Sequence, residues 1–184
     1  MTTTDTLTLE QTLAEIAQSL ASIGRTMNLS KQELGFGPSP NRTYVFVNRS
    51  QGGNWYSLSG EGKPEPIPHA ALTGYVVGLE VRNVQRRGQP VDKLHLHMQA
   101  DRYYVLEAGV QSTFSKGAIA SLATLRPEDL LQPITVEPVA GDSGEVLFAR
   151  LFLRGEPIRA SWDDQTDFQT LCQQVIETIN AAQR

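Results

Sequence analysis

Two kinds of hydrophobic periodicity meet between Leu72 and Leu125. Leu94, Leu96 and Met98 alternate with Lys93, His95 and His97, the two-residue period of a strand with one apolar face. Upstream, Leu72 to Val84 reads as a long strand with Gly74 and Gly78 inside it. Glycines within a β-branched run mark a bulge or a bend. Arg87-Gly88-Gln89-Pro90 separates the two strands as a turn. Arg102 to Ala108 forms a third strand, with Tyr104 and Leu106 alternating with Tyr103 and Val105. From Ser112 to Leu125 the spacing becomes helical, placing Phe114, Ala118, Leu122 and Leu125 along one stripe.

Two further strands follow, Pro133 to Pro138 and Glu145 to Leu153, with Gly141-Asp142-Ser143-Gly144 as the turn between them. The order is β-β-β-α-β-β with a bent first strand. It fits a mainly β (α+β) fold: a five-stranded, OB-like Greek-key barrel whose helix plugs one end. An SH3-like barrel or a split α+β sheet also accommodates the pattern.

On either side of this run the chain adds helices and a hairpin. Leu9, Leu13, Ile16, Leu20, Ile23 and Met27 alternate steps of four and three, a short heptad seam behind a Thr8–Gln11 capping box. That helix docks on the barrel, pairs with the C-terminal helix or self-associates into a homo-oligomer. Asn41 to Val47 and Asn54 to Leu58 read as an aromatic hairpin, and Gly60 to Pro68 as a proline-rich loop. A helix from about Thr166, capped by Thr166 and Gln169, closes the chain. Its apolar stripe carries Phe168, Leu171, Cys172, Val175, Ile176 and Ile179. Residues 1–40 are thus expected as helix and linker, 41–163 as the barrel with its hairpin, and 164–184 as a helix packed on the barrel.

Composition narrows the classes. No apolar run is long enough to cross a bilayer, and the N-terminus lacks the basic start and apolar block of a signal peptide. A cytoplasmic protein with no membrane contact is therefore expected. A single cysteine, Cys172, excludes an intrachain disulfide and a cysteine-rich zinc site. Net charge is −4, but it is unevenly spread: ten Lys/Arg against six Asp/Glu from Asn41 to Arg126, and four against ten from Pro127 to Arg184. A basic middle can present a positive face despite the overall sign.

The chain shows no phosphate-binding loop, dinucleotide fingerprint, nucleophile elbow or HExxH, so no enzyme is expected. His95 and His97 share a strand face, as two metal ligands would. The third histidine, His69, lies in the proline-rich loop. Neither a metal nor another cofactor is assigned.

What does add up is electrostatic and aromatic. Lys93, His95 and His97 share a face beside Arg86 and Arg87, with Arg82 and Tyr103 on neighbouring strands and Lys116 at the start of the helix. Trp55 and Tyr44 add rings from the hairpin. Basic side chains along phosphates and rings under bases are how single-stranded nucleic acid is held.

The segment Lys93 to Leu131, with Tyr104-Val105-Leu106, Ser112, Leu122 to Leu125 and then Gln132-Pro133-Ile134, resembles OB-type single-stranded DNA-binding proteins of phages and mobile elements. The resemblance implies an OB barrel and a non-enzymatic role on single-stranded DNA, or RNA. The alternative reading is a protein–protein interaction module (an adaptor, oligomer or inhibitor) built from the barrel and its heptad helix.

Overall fold

The structure is a computed structural model that describes residues 42–184 except 87, 143 and 145. The expected N-terminal heptad helix, the linker, Asn41 and Arg87 lie outside the described residues. Residues Pro40–Arg184 form one compact unit, so the C-terminal helix belongs with the sheet.

Nine strands and two helices make up the described part. They are β1 (Arg42–Phe46), β2 (Tyr56–Leu58), β3 (Pro64–Pro66), β4 (Leu72–Arg86), β5 (Gln89–Gln99), β6 (Tyr103–Gly109), α1 (Thr113–Ala123), β7 (Ile134–Ala140), β8 (Leu147–Leu153), β9 (Glu156–Pro157) and α2 (Phe168–Ala182). All strands join one mixed sheet in the order β3-β2-β1-β6-β5-β4-β7-β8-β9.

The long strand β4 organises this sheet. Its first residues, Leu72 to Gly74, pair with β7, and the rest, from Tyr75 to Arg86, pairs with β5. Gly74 sits where the strand changes partner and lets the Gln99 backbone approach closely. A Cβ there would lie 2.8 Å from the Gln99 carbonyl oxygen, closer than such atoms approach. A register shift between Val76 and Gly78 adds a bulge four residues on. Both glycines thus do what glycine in a β-branched strand implies.

Where the expected barrel would close, the sheet is open. Strands β4 to β8 and the helix between β6 and β7 follow the expected order. Yet the outer edge of β6 carries β1 in parallel register, Arg42 opposite Tyr103 to Phe46 opposite Glu107. The outer edge of β8 carries β9. Among the described residues no ladder joins β6 to β8; the N-terminal hairpin has taken the edge that closure needs. The hairpin is therefore part of the sheet and not an appendage. The proline-rich stretch is also corrected. Pro64 to Pro66 is a short edge strand on β2, where residues without an N–H are tolerated because no further strand needs their donors.

Helix α1 starts at Ser112, whose hydroxyl accepts from the Ser115 amide. It packs chiefly on β8 and α2 and touches β6. Phe114, Ala118, Ile119 and Leu122 meet Leu94, Leu96, Met98 and Leu106 from the sheet, with Ile134, Val136 and Leu151 beside them. Each of these large side chains is almost wholly buried, and each contributes about 1.5–3 kcal/mol of transfer free energy. Helix α2 begins one residue later than Thr166 would cap it. Asp167 is the cap, accepting from the Gln169 and Thr170 amides, and Val175 and Ile179 are the helix's buried positions. Cys172 is half-buried against the core, which pushes its thiol up.

Candidate nucleic-acid interface

The alternation along β5 predicts that the face turned away from this core is polar. It is polar but largely buried. Cross-strand partners place Glu80 opposite His95, Arg82 opposite Lys93 and Glu107 opposite His95 on its other side. Parallel pairing sets Tyr44 beside Val105 and Phe46 beside Glu107. With β1 alongside, rings and long side chains close over the middle of the face. His95 is 3% exposed, His97 7%, Glu107 8% and Val105 0%.

Buried polar groups need partners, and two linked networks supply them. In one, His97 bridges Glu80 and Tyr103. Its Nε2 lies 2.9 Å from Glu80 Oε1, and its Nδ1 lies 3.0 Å from the Tyr103 hydroxyl. Arg82 Nε reaches the same Glu80 oxygen at 2.9 Å. In the other, His95 Nε2 lies 3.1 Å from Glu107 Oε2, whose second oxygen accepts from Arg86 at 3.1 Å. Burial lowers the pKa of His97, partly offset by the Glu80 carboxylate. Burial alone would raise that of Glu80, but the hydrogen bonds from Arg82 and His97 outweigh it and hold the carboxyl below its ordinary value. The consistent state is a neutral His97 donating from Nε2 to an ionised Glu80 and accepting from the Tyr103 hydroxyl.

Gly78 makes room for this. It pairs with His97 across the bulge, and a Cβ there would sit 3.3 Å from His97 Cδ2. One atom is left over: among the described side chains, His95 Nδ1 is buried without a hydrogen-bond partner. It points to Glu80 Oε1 at 3.8 Å.

Around the histidines the rings form a continuous strip. Tyr44 stacks toward Phe46, with centroids 6.5 Å apart, and Phe46 on Tyr56 at 5.1 Å. Tyr44 meets His95 edge-on at 5.8 Å. Two guanidiniums lie over this strip: Arg42 is 5.3 Å from the Tyr103 centroid and Arg86 5.7 Å from that of Phe46. Tyr44, Phe46 and Tyr103 remain half-exposed, whereas Tyr56 is buried. At the end of the strip, Phe46, Arg86, Lys93, Glu107, Ser112 and Thr113 line a groove of about 360 Å³ that runs to the start of α1.

The structure therefore gathers Arg82, Arg86, Lys93, His95, His97, Tyr103 and Tyr44 on one face. It separates the remaining expectations from them. Trp55 is a core residue, 3% exposed, with its indole N–H donating to the His69 carbonyl at 2.8 Å, so no base can stack on it. The Lys116 ammonium lies over Trp162 and Phe168, at 5.8 and 5.4 Å, and joins the C-terminal segment instead.

Glu80, Glu107, Arg42 and Phe46 complete the site and were not among the expected site residues. For Glu80 a signal existed. With Arg86 opposite Gln89, counting back along both strands brings Glu80 opposite His95. Arg42 and Phe46 depend on the parallel pairing of β1 with β6, for which the local pattern holds no signal.

Comparison with protein-family models, with curated proteins and with solved structures finds no match.

Proposed function

We propose that this chain is a non-enzymatic, single-stranded nucleic-acid-binding protein that takes DNA, or RNA, across the face of β1, β6, β5 and β4. The observation that carries this reading is the strip of half-exposed rings with guanidiniums above it. Bases stack on Tyr44, Phe46 and Tyr103, while Arg42, Arg82, Arg86 and Lys93 meet phosphates. Rings on a sheet face tolerate any base, because every base has a π-face. Four cations against the carboxylates of Glu80 and Glu107 leave the face positive in a chain of net charge −4.

The finer reading of the fold belongs with this one. Strands β4 to β8 and α1 correspond to an OB-type arrangement in which α1, not a ladder, spans from β6 to β8. Support comes from the strand order, the bulged first strand that pairs with both β5 and β7, and the seating of α1 on β8. A cytoplasmic setting and oligomerisation through residues 1–40 are parts of the same proposal. Among the described residues no helix is long and apolar enough to cross a membrane.

A protein-interaction module is the second reading. It is favoured by the ion pairs Arg82–Glu80 and Arg86–Glu107, which already occupy two of the four cations.

Fluorescence anisotropy with single-stranded and duplex oligonucleotides, at low and physiological salt, tests the proposal. Salt-sensitive binding to single strands that falls with Arg42→Glu and Tyr103→Ala supports it. Absence of binding at low salt, where screening is weakest, overturns it in favour of a protein partner.

A further inference from the structure

His95 Nδ1 presents an electrostatic problem. Its ring donates from Nε2 to Glu107, so in the neutral imidazole Nδ1 carries a lone pair. That lone pair is buried, has no donor, and faces a carboxylate oxygen 3.8 Å away. Two acceptors turned toward each other repel, unless a proton or a metal ion lies between them. His97 Nε2 adds a third acceptor to the same spot once its proton moves to Nδ1, where the Tyr103 oxygen can receive it.

We propose that Glu80, His95 and His97 form a binding site for a divalent transition-metal ion of the zinc class. Their ligand atoms lie within 4.8 Å of one another. A tetrahedral ion with bonds of about 2.0–2.2 Å needs ligand separations of about 3.3 Å. The observed separations, 2.9 Å from His97 Nε2 to Glu80 Oε1 and 3.8 Å from His95 Nδ1 to the same oxygen, bracket that value. Two imidazoles and one carboxylate are a borderline donor set that suits zinc over calcium or magnesium.

The surroundings are those of a metal site. Each imidazole has its far nitrogen engaged, His95 with Glu107 and His97 with Tyr103, which holds both rings in orientation, and the Glu107 carboxylate also fixes the His95 tautomer. Arg86 in turn holds Glu107. Arg82 now pairs with Glu80, but its side chain is 50% exposed, so it can swing into solvent as the ion takes its place. The fourth position is left to water, and the ion links β4 to β5 across the bulge.

The test uses the full chain, stripped with EDTA and titrated with Co²⁺, whose visible absorption reports coordination, followed by Zn²⁺ to displace it. One Co²⁺ per chain is expected, with the band bleached by Zn²⁺. Glu80→Gln and His97→Gln should each abolish the band in protein that keeps its circular dichroism. Glu107→Gln, which changes an outer partner, should weaken binding by about 10–100-fold. His69→Ala and Cys172→Ser should leave it unchanged. Imidazole ¹⁵N shifts of the unaltered protein supply a readout that needs no variant: Zn²⁺ should move His95 Nδ1 and His97 Nε2 and leave His69 alone. No band at millimolar Co²⁺, as an imidazolium at His95 would give, overturns the assignment. So does a band that survives both ligand variants, or a response confined to His69. The probe is the metal alone, so this outcome stands apart from whether nucleic acid binds.

Discussion

Gly78 and Gly74 illustrate how single positions set this site. Gly78→Ala would press a methyl group against the His97 ring, which must then tilt away from Glu80 and Tyr103. The expected result is a folded protein whose His97 imidazole resonances shift and whose Co²⁺ affinity falls, read in the same titration. Gly74→Ala meets a backbone carbonyl that cannot yield. Overpacking of this kind costs about 1–3 kcal/mol, and urea denaturation should show it as a lowered midpoint with an unchanged slope. Trp55→Phe separates core from interface at the same scale. It removes the bond to the His69 carbonyl and should cost about 1 kcal/mol, while affinity for single strands stays as it was.

At the scale of elements, both helices depend on local caps. Ser112 accepts from the Ser115 amide, and the Ser115 hydroxyl in turn donates to the Gly109 carbonyl, tying the start of α1 to the end of β6. Ser112→Ala should lower stability by about 1 kcal/mol in urea titrations. The same turn lines the groove beside Lys93, so a frayed α1 should also weaken nucleic-acid binding. The turn between β5 and β6 has a pH-dependent tie. The Tyr104 hydroxyl donates to Asp101 at 2.9 Å and holds its carboxyl below the ordinary value. A carboxyl with a lowered folded-state pKa contributes stability that is complete above its unfolded value, near about 4, and fades as pH falls through the folded one. Tyr104→Phe should therefore be less stable than the parent at pH 7, and the gap should close in acid. Thermal melts of the pair from pH 7 to pH 2 would show whether it does.

These elements also show how far the pattern along the chain reaches. The alternation at Leu94–Met98 and the helical stripe after Ser112 announced β5 and α1 because each is written in neighbouring residues. The cap of α2 was misplaced by one residue because Thr166 and Asp167 are both good caps, and only the path of the chain chooses between them. Strand β9 and the proline-containing β3 escaped because strands of two and three residues carry no period to detect.

For the whole molecule the salt response is the sharpest prediction. Each phosphate neutralised on a single strand contributes about −0.7 to the slope of log affinity against log salt. Engagement of Arg42, Arg82, Arg86 and Lys93 should give a slope of about −3, and Arg42→Glu should flatten it. Tyr103→Ala should weaken binding at all salts by the about 1–3 kcal/mol of one stacked base, without changing the slope.

By itself, the sequence determined the identity of most strands and of both described helices, the β-β-β-α-β-β order, the bulge in β4 and the shared face of Lys93, His95 and His97. All of these follow from contacts between residues close in the chain or joined by a short turn. Tertiary structure alone decided that β1 lies parallel on β6, that the sheet stays open, and that His95 is buried between Glu80 and Glu107. Those outcomes rest on which distant edge pairs with a strand and on what covers its outer face. An edge offers the same backbone donors and acceptors whatever its side chains, so its partner is chosen by the packing of the whole sheet.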